Sequence, residues 1–476
     1  MQINRSDIRI KADVKKVIVN YLDLGLPGQS KRVGLMVNRV LALPEEEVSR
    51  LYEEVLREFR NRHLDLTWFF NAHYQKISEV IPKDYEMTET RKLLLGAFFT
   101  KEYSIQSAAL FNPSIVAHPD QSGLAAGEIR FIISLRAVGE GHISSIEFRS
   151  GTLDSKGNIK LDENSGFATT AMQDPTKSFD AAKLKNRTKI LPGFDPSIFD
   201  ELGPVFTKKD YLNASVQTFK QYDEISREVL DKILDSNYDV VAQDGSQLSE
   251  RVVFPSAKQE SRGMEDVRFV EFSENGKSTY IGTFTAYDGH HISPQLIITK
   301  DFVKFKIRTM YGAAVNDKGF ALFPEKINGR FVMLGRQGGE EITIMYSDDL
   351  FIWEDFKTLL KPEFSWGLLQ LGNCGSPIKT EEGWLVITHA VGALRKYVIS
   401  AILLDLKDPS KVIRKLDIPL ISPNEEEREG YVPNVVYSCG AMKHENLLVI
   451  PYAMSDSAST FATLDLRSLL NKMKQC

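Results

Sequence analysis

Apolar residues recur along the chain with two periods, and the change between them falls just past residue 105. In the first hundred residues the spacing is helical. Leu43-Pro44 and the three glutamates that follow have the character of a helix start, because proline fits the first turn and acids favour the positive helix end. Val48, Leu51, Val55, Leu56 and Phe59 then fall on one face. Further helical stretches are predicted over 64–81 and 88–99. Residues 1–105 are expected to form a helical N-terminal extension, which by itself suggests no chemistry.

From about residue 110 the pattern turns to short strands. One element keeps returning: a polar or glycine turn, then an alternating or apolar run of about eight residues. It occurs at 127–137, 275–286, 328–336, 382–389 and 445–453, and the last four starts are 53, 54 and 63 residues apart. A second echo, T-K-D-F-V-K-F at 299–305 and S-D-D-L-F-I-W at 347–353, repeats after 48 residues. Five such copies predict an all-β body, a five-bladed β-propeller over 106–476. The long gap between the first two copies is expected to hold an insertion, about 152–250, with a helix near 222–234. A β-sandwich beside a helical domain accounts for the count less well.

A propeller brings its innermost strands and their loops to one mouth of the axial channel, so residues far apart in sequence can share a site. Arg136, Arg336 and His389 stand at equivalent ends of the repeated runs, which are expected to be the innermost strands. Asp456 follows the last run, and Lys318 precedes a turn-rich segment. Asn373 lies in Q-L-G-N-C-G-S-P at 370–377, an inter-blade turn where close backbone approach would let it reach a ligand.

Composition narrows the classes. The chain has 476 residues, 42% hydrophobic and 26% charged, as in a folded, water-soluble protein. Its net charge of −5 is spread without a basic stripe, so no nucleic-acid partner is expected. No apolar run reaches the length of a membrane span, and the N-terminus lacks a signal-peptide stretch. The expectation is a cytoplasmic protein with no membrane partner. Three cysteines have no metal-ligand spacing, so neither a metal nor an organic cofactor is expected.

The densest chemistry lies at 262–268, R-G-M-E-D-V-R. Ion pairing depresses a carboxyl pKa while crowding and burial raise it, so one acid can stay protonated beside an ionised neighbour. That suits a general acid. A surface salt-bridge cluster is the plainer reading of an isolated E-D-x-R. Repeated basic positions facing the pair shift the balance toward an anion or sugar site.

These segments resemble glycoside hydrolase family 130, the mannoside phosphorylases and β-1,2-mannosidases. The resemblance rests on G-M-E-D-V-R, T-F-T-A-Y-D, A-L-F-P-E-K-I-N-G-R-F-V-M-L-G-R, S-D-D-L-F-I-W, G-N-C-G-S-P-I-K-T-E-E-G-W-L-V-I-T-H and G-Y-V-P-N-V-V-Y-S-C-G. It covers roughly 110–470 and implies a five-bladed propeller that cleaves β-mannosides with inversion. It implies Asp266 as general acid, acting in the phosphorylases through a sugar hydroxyl. Phosphate would be bound where Lys318, Arg336, Gln370 and His389 stand. Arg136, Arg268, Asn373, Asp456 and Tyr397 are expected to bind substrate.

Three positions depart from the family pattern: Gln370 is commonly lysine, Lys318 can be arginine, and Val267 is usually proline. Fewer cations weaken the case for a phosphate dianion, whose desolvation must be offset. Hydrolysis of the β-mannosidic linkages of manno-oligosaccharides, expected at β-1,2 bonds, is therefore the first expectation, with Glu265 or Glu325 as the water-activating base. Phosphorolysis releasing α-mannose 1-phosphate, with inorganic phosphate as co-substrate, is the alternative. A non-catalytic carbohydrate-binding propeller is the remote third. Homo-oligomerisation through the N-terminal helices is left open.

Overall fold

The computed structural model describes residues 1–25, 30–214 and 218–476; small parts of the expected N-terminal extension and insertion, 26–29 and 215–217, lie outside the described residues. Strands dominate it, in five antiparallel meanders. The first is Ala109–Ala117, Ile129–Val138, Ser144–Leu153 and Ile159–Leu161. The second is Gly263–Glu274, Lys277–Tyr287, Ile292–Thr299 and Lys304–Thr309. The third begins at Ala321–Leu322 and continues through Phe331–Gly335, Ile342–Ser347 and Phe356–Leu360. Gln370–Asn373, Trp384–Val391, Tyr397–Leu404 and Val412–Lys415 make the fourth. The fifth is Val436–Tyr437, Leu447–Met454 and Ala458–Asp465.

The repeated apolar run read from the sequence is the second strand of each meander, not the innermost one. The reason is burial on both faces. In Phe331–Gly335, Val332 and Leu334 join a core with the fourth meander, while Phe331 and Met333 join a core with the second. Successive side chains on a strand point to opposite faces, so a strand between two cores reads as continuous apolar sequence. The first strands are shorter or richer in polar residues, and the sequence pattern passes over them.

These shared cores link the meanders in order. The first packs on the second around Phe148, Phe269 and Phe305, and the second on the third around Phe272, Leu296 and Trp353. Trp384 lies between third and fourth, and Leu385, Ile450 and Tyr452 between fourth and fifth. Ile133, Phe131 and Phe461 join the fifth back to the first. Lys474–Gln475 pairs with Val412–Lys415 of the fourth sheet, while the N-terminal strands join the fifth, where Ile3–Arg5 and Ile10–Lys11 pair with Ala458–Asp465. The first eleven residues thus belong to this sheet and not to the helical segment.

Helices occupy Lys31–Leu41, Glu45–Phe59, Leu66–Ile77 and Glu89–Phe98. The first, which buries Val33, Val37 and Val40, was not among the expected helices. Gly96 sits so close to Phe70 that an added Cβ would lie 1.9 Å from its carbonyl oxygen. The segment is tied to the first meander by Lys16, whose buried ammonium donates to Glu147 Oε2 at 2.8 Å and to the Ser249 carbonyl at 2.6 Å. The insertion starts after Ile159–Leu161, later than the sequence suggests, and has its own core around Phe179, Phe199, Leu230 and Ile233. It returns strands to the sheet: Asp239–Val241 pairs with the last strand of the second meander.

Candidate active site

The first strands of the first and second meanders carry a backbone irregularity where they reach the cleft. Between Phe111 and Ser114 the register slips, and Asn112 adopts φ 51°. Between Glu265 and Arg268 it slips again, and Asp266 adopts φ 52°. Such bulges bend a strand and re-aim a side chain at the cost of backbone strain. Here they turn Asn112 and Asp266 toward one another, and the Asn112 amide donates to Asp266 Oδ1 at 2.7 Å.

The cleft, about 390 Å³, is lined from all five meanders. First strands or the loops before them supply Asn112, Asp266, Arg268, Lys318, Gln370 and Tyr437; the far ends of second strands supply Arg136, Thr285, Arg336 and Asp456. Eight of the residues singled out from the sequence line it: Asp266, Arg136, Arg268, Asp456, Tyr397, Lys318, Arg336 and Gln370.

One end is a network of paired charges. Arg136 donates to Glu265 Oε1 at 2.7 Å, to Asp266 Oδ1 at 3.3 Å and to Ser144 Oγ at 2.8 Å. Burial pushes the Asp266 carboxyl up, but Arg136, Arg268, Lys318 and the Asn112 amide outweigh it and hold it at about 2. Burial raises Glu265 above the usual carboxylate range, with Arg136 opposing and Asp266 adding to the rise. Burial also lifts Asp456, helped by the charge of Asp266 and opposed by Arg136 and Arg395, to about 6. The two neighbouring carboxyls are thus pushed in opposite directions: Asp266 is held ionised in the free cleft, whereas burial raises Glu265.

The other end is cationic. Among the described residues, Arg268, Lys318 and Arg336 have no carboxylate within ion-pairing distance. Arg268 is 3% exposed; it donates to the Tyr437 hydroxyl at 2.7 Å and to the Asp266 carbonyl at 3.1 Å, while its Nε has no partner. Arg336 is 9% exposed and its Nε is likewise without a partner. Buried guanidinium groups in that condition are costly unless a negative group meets them.

Two expected ligands stand behind the cleft wall. His389 is fully buried and does not line the cleft. Burial, then Arg336 and Arg268, push its pKa well below the ordinary value, so the ring is neutral. Its Nδ1–H donates to the Asn373 carbonyl at 3.2 Å, which leaves Nε2 to accept from Arg336 Nη1 at 3.4 Å. The ring rests across Gly372, where a Cβ would lie 2.3 Å from its Cε1. His389 thus orients Arg336 instead of meeting an anion. Asn373 is also buried, and its amide donates to the Gly319 carbonyl at 2.6 Å, fixing the loop that carries Lys318.

Glu265 and Glu325 are corrected as water-activating bases. Glu325 lies on the surface, paired with Lys379 at 2.5 Å. It sits in the connection between the first and second strands of the third meander, at the opposite end of that pair from Lys318 and Arg336, which removes it from the cleft. Glu265 is held by Arg136 and lines a neighbouring cavity.

Asn112, His142, Arg395, Tyr431 and Tyr437 line the cleft without having been singled out. For two of them a signal existed. V-G-E-G-H-I at 138–143 and V-G-A-L-R-K at 391–396 form the same hairpin turn: Gly139 and Gly392 have φ −100° and −107°, Gly141 and Leu394 have φ 66° and 55°. His142 and Arg395 follow at φ 60° and 54°, both delivered to the cleft.

Comparison with known proteins gives concordant results. The family model for beta-1,4-mannooligosaccharide phosphorylase matches residues 217–475. A 1,2-beta-oligomannan phosphorylase of Thermoanaerobacter sp. (strain X514) is 37% identical over 235 residues, 48% of this chain and 78% of the relative. A beta-1,2-mannobiose phosphorylase of Listeria innocua serovar 6a is 31% identical over 231 residues, 47% of this chain and 63% of the relative. Among solved structures, beta-1,2-mannobiose phosphorylase from Listeria innocua in complex with beta-1,2-mannobiose aligns with a TM-score of 0.48 and 23% identity, covering 78% of this chain and 92% of the other.

Proposed function

Because its family match covers more than half its length, the chain belongs to glycoside hydrolase family 130, and we propose that it is a mannoside phosphorylase cleaving β-1,2-linked manno-oligosaccharides. The observation that carries this reading is the cation end of the cleft: Arg268, Lys318 and Arg336, two of them buried guanidinium groups, without a carboxylate partner among the described residues. Hydrolysis, the first expectation from the sequence, needs a carboxylate to activate water; neither of the expected bases, Glu265 and Glu325, lines the cleft, and Asp456, which does, is assigned to the sugar. Relatives whose names specify phosphorolysis of β-1,2-mannosides support the same choice. Gln370, where lysine was the family's common residue, still lines the cleft and offers an amide donor.

In this reading Lys318, Arg336 and Gln370 hold phosphate, with His389 and Asn373 positioning the first two. A phosphate oxygen attacks C1 of the terminal mannosyl unit from the face opposite the glycosidic oxygen. The C1–O bond to the leaving sugar breaks as the C1–O–P bond forms, and a proton derived from Asp266 reaches the leaving oxygen. Asp266 must first gain that proton. Arg136 stays paired with the carboxyl, but Arg268 and Lys318, which also help hold it at about 2, stand at the cation end where phosphate would offset them. Arrival of the dianion therefore raises the Asp266 pKa, coupling occupation of the anion end to charging of the acid. Asn112, Arg136, Asp456 and Tyr397 are placed to bind the sugar.

The same reading takes the cyclic order of the shared cores as the ring of a five-bladed propeller, with the N-terminal strands completing the fifth blade. The decisive experiment is incubation of β-1,2-mannobiose with the enzyme, with and without inorganic phosphate, followed by phosphorus NMR. The expected result is α-mannose 1-phosphate formed only with phosphate. Release of free mannose at the same rate without phosphate would overturn the proposal.

A further inference from the structure

Beside the cleft lies a second cavity of about 400 Å³, lined by Gly141, His142, Arg262, Glu265, Tyr287, Asp288, Gly289 and His290. Its size is that of a small-ligand site in its own right. It adjoins the cleft in two places. His142 lines both, and the Arg136–Glu265 ion pair forms their common wall, Arg136 facing the cleft and Glu265 the second cavity.

Its groups are those that recognise sugar hydroxyls. Among the described residues the Arg262 guanidinium has no carboxylate within ion-pairing distance and is exposed, although the Arg262 N–H is fixed by the Tyr287 carbonyl at 2.8 Å. Asp288 fixes the facing turn by accepting from the His290 and His291 N–H groups at 2.8 and 2.6 Å. At the rim, the His142 ring stacks with Tyr431, centroids 6.4 Å apart and planes 28° apart, and Tyr431 is 64% exposed. Exposed aromatic faces beside charged, rigidly held hydrogen-bonding groups are a carbohydrate platform, since sugars offer apolar C–H faces and vicinal hydroxyls together.

We propose that this cavity is a distal subsite for a further mannosyl unit of the leaving chain, with Arg262 and His290 as its specificity-determining residues. The inference rests on the mannoside phosphorylase reading. It assigns the enzyme a substrate longer than a disaccharide: a disaccharide and phosphate fill the cleft, and the next ring passes Glu265 and His142 into the second cavity. Neither Arg262 nor His290 touches the reacting atoms.

The test compares kcat/KM with phosphate for β-1,2-mannobiose, -triose and -tetraose in the wild type and in Arg262→Ala, His290→Ala and the double variant. The wild type is expected to favour the trisaccharide over the disaccharide by about tenfold, the effect of one or two added hydrogen bonds. The double variant is expected to erase that preference while turning over mannobiose at the wild-type rate. Equal wild-type kcat/KM for the two lengths, or a preference that survives the double substitution, would overturn the subsite alone. Failure to form a sugar phosphate from any of the three would overturn the phosphorylase reading and this inference with it. Calorimetric binding of the trisaccharide to both proteins reads the subsite without turnover: equal affinity counts against it, a tenfold loss in the variant for it.

Discussion

The two ends of the cleft use charge in opposite ways. At one end Arg136, Glu265, Asp266 and the Asn112 amide N–H are joined by ion pairs and hydrogen bonds of 2.7–3.3 Å. At the other, Arg268 and Arg336 are buried with nitrogen atoms left over and no carboxylate partner. A closed network holds its own geometry, whereas an open one is complete only with an anion present. The contrast separates the part of the site that stores a proton position from the part that awaits a reactant.

Paired substitutions break or sharpen this contrast. Arg136→Met strands two half-buried carboxylates and is expected to lower stability by about 3–5 kcal/mol, whereas Arg336→Met removes an uncompensated cation and should be neutral or stabilising. Denaturant unfolding of the two variants measures the difference, and equal losses would erase the distinction between the ends.

Asp456 gives the next effect. A carboxyl whose folded-state pKa, about 6, exceeds its ordinary value of 3.8 is penalised while ionised. That penalty is full above pH 6 and vanishes as pH falls toward 4. Asp456→Asn is thus expected to gain up to about 3 kcal/mol over wild type at pH 8, with the pH-dependent part gone at pH 4. Melting curves across that range check it; a gain that grows on acidification would contradict it.

The support behind Arg336 should matter less. His389→Gln, or Gly372→Ala, which drives a methyl into the His389 ring, is expected to raise the KM for phosphate about fivefold by loss of one hydrogen bond, with the KM for mannobiose unchanged. Steady-state kinetics varying each substrate separates the two. Smallest of all is Glu325→Gln, which removes only a surface pair: activity is expected at the wild-type level and stability within about 0.5 kcal/mol.

Much of the site was legible because its chemistry is local. The E-D-x-R pair, the strand-end cations Arg136 and Arg336, and Asp456 announce themselves by residue type and repeat position. Which strand faces the cleft was not legible. The doubly buried second strands give the strong apolar signal, while the first strands, bent at Asn112 and Asp266, give almost none. Burial behind the wall is equally silent in sequence, so His389 and Asn373 read as ligands although they hold Arg336 and the Lys318 loop. Glu325 failed for the converse reason: an acid in a turn near an active-site segment looks the same whether it faces the cleft or Lys379. The strands at Ile3–Arg5 and Ile10–Lys11 escaped because their partner lies some 450 residues away, and no local pattern records such a pairing.

Calorimetric titration of inorganic phosphate into the free enzyme tests the central claim most directly. The account predicts one phosphate per chain, binding weakened at least about tenfold in Arg336→Met. It also predicts tighter binding in Asp266→Asn, which removes the carboxylate that repels the dianion. Absence of binding in the wild type, or affinity indifferent to both substitutions, would contradict it.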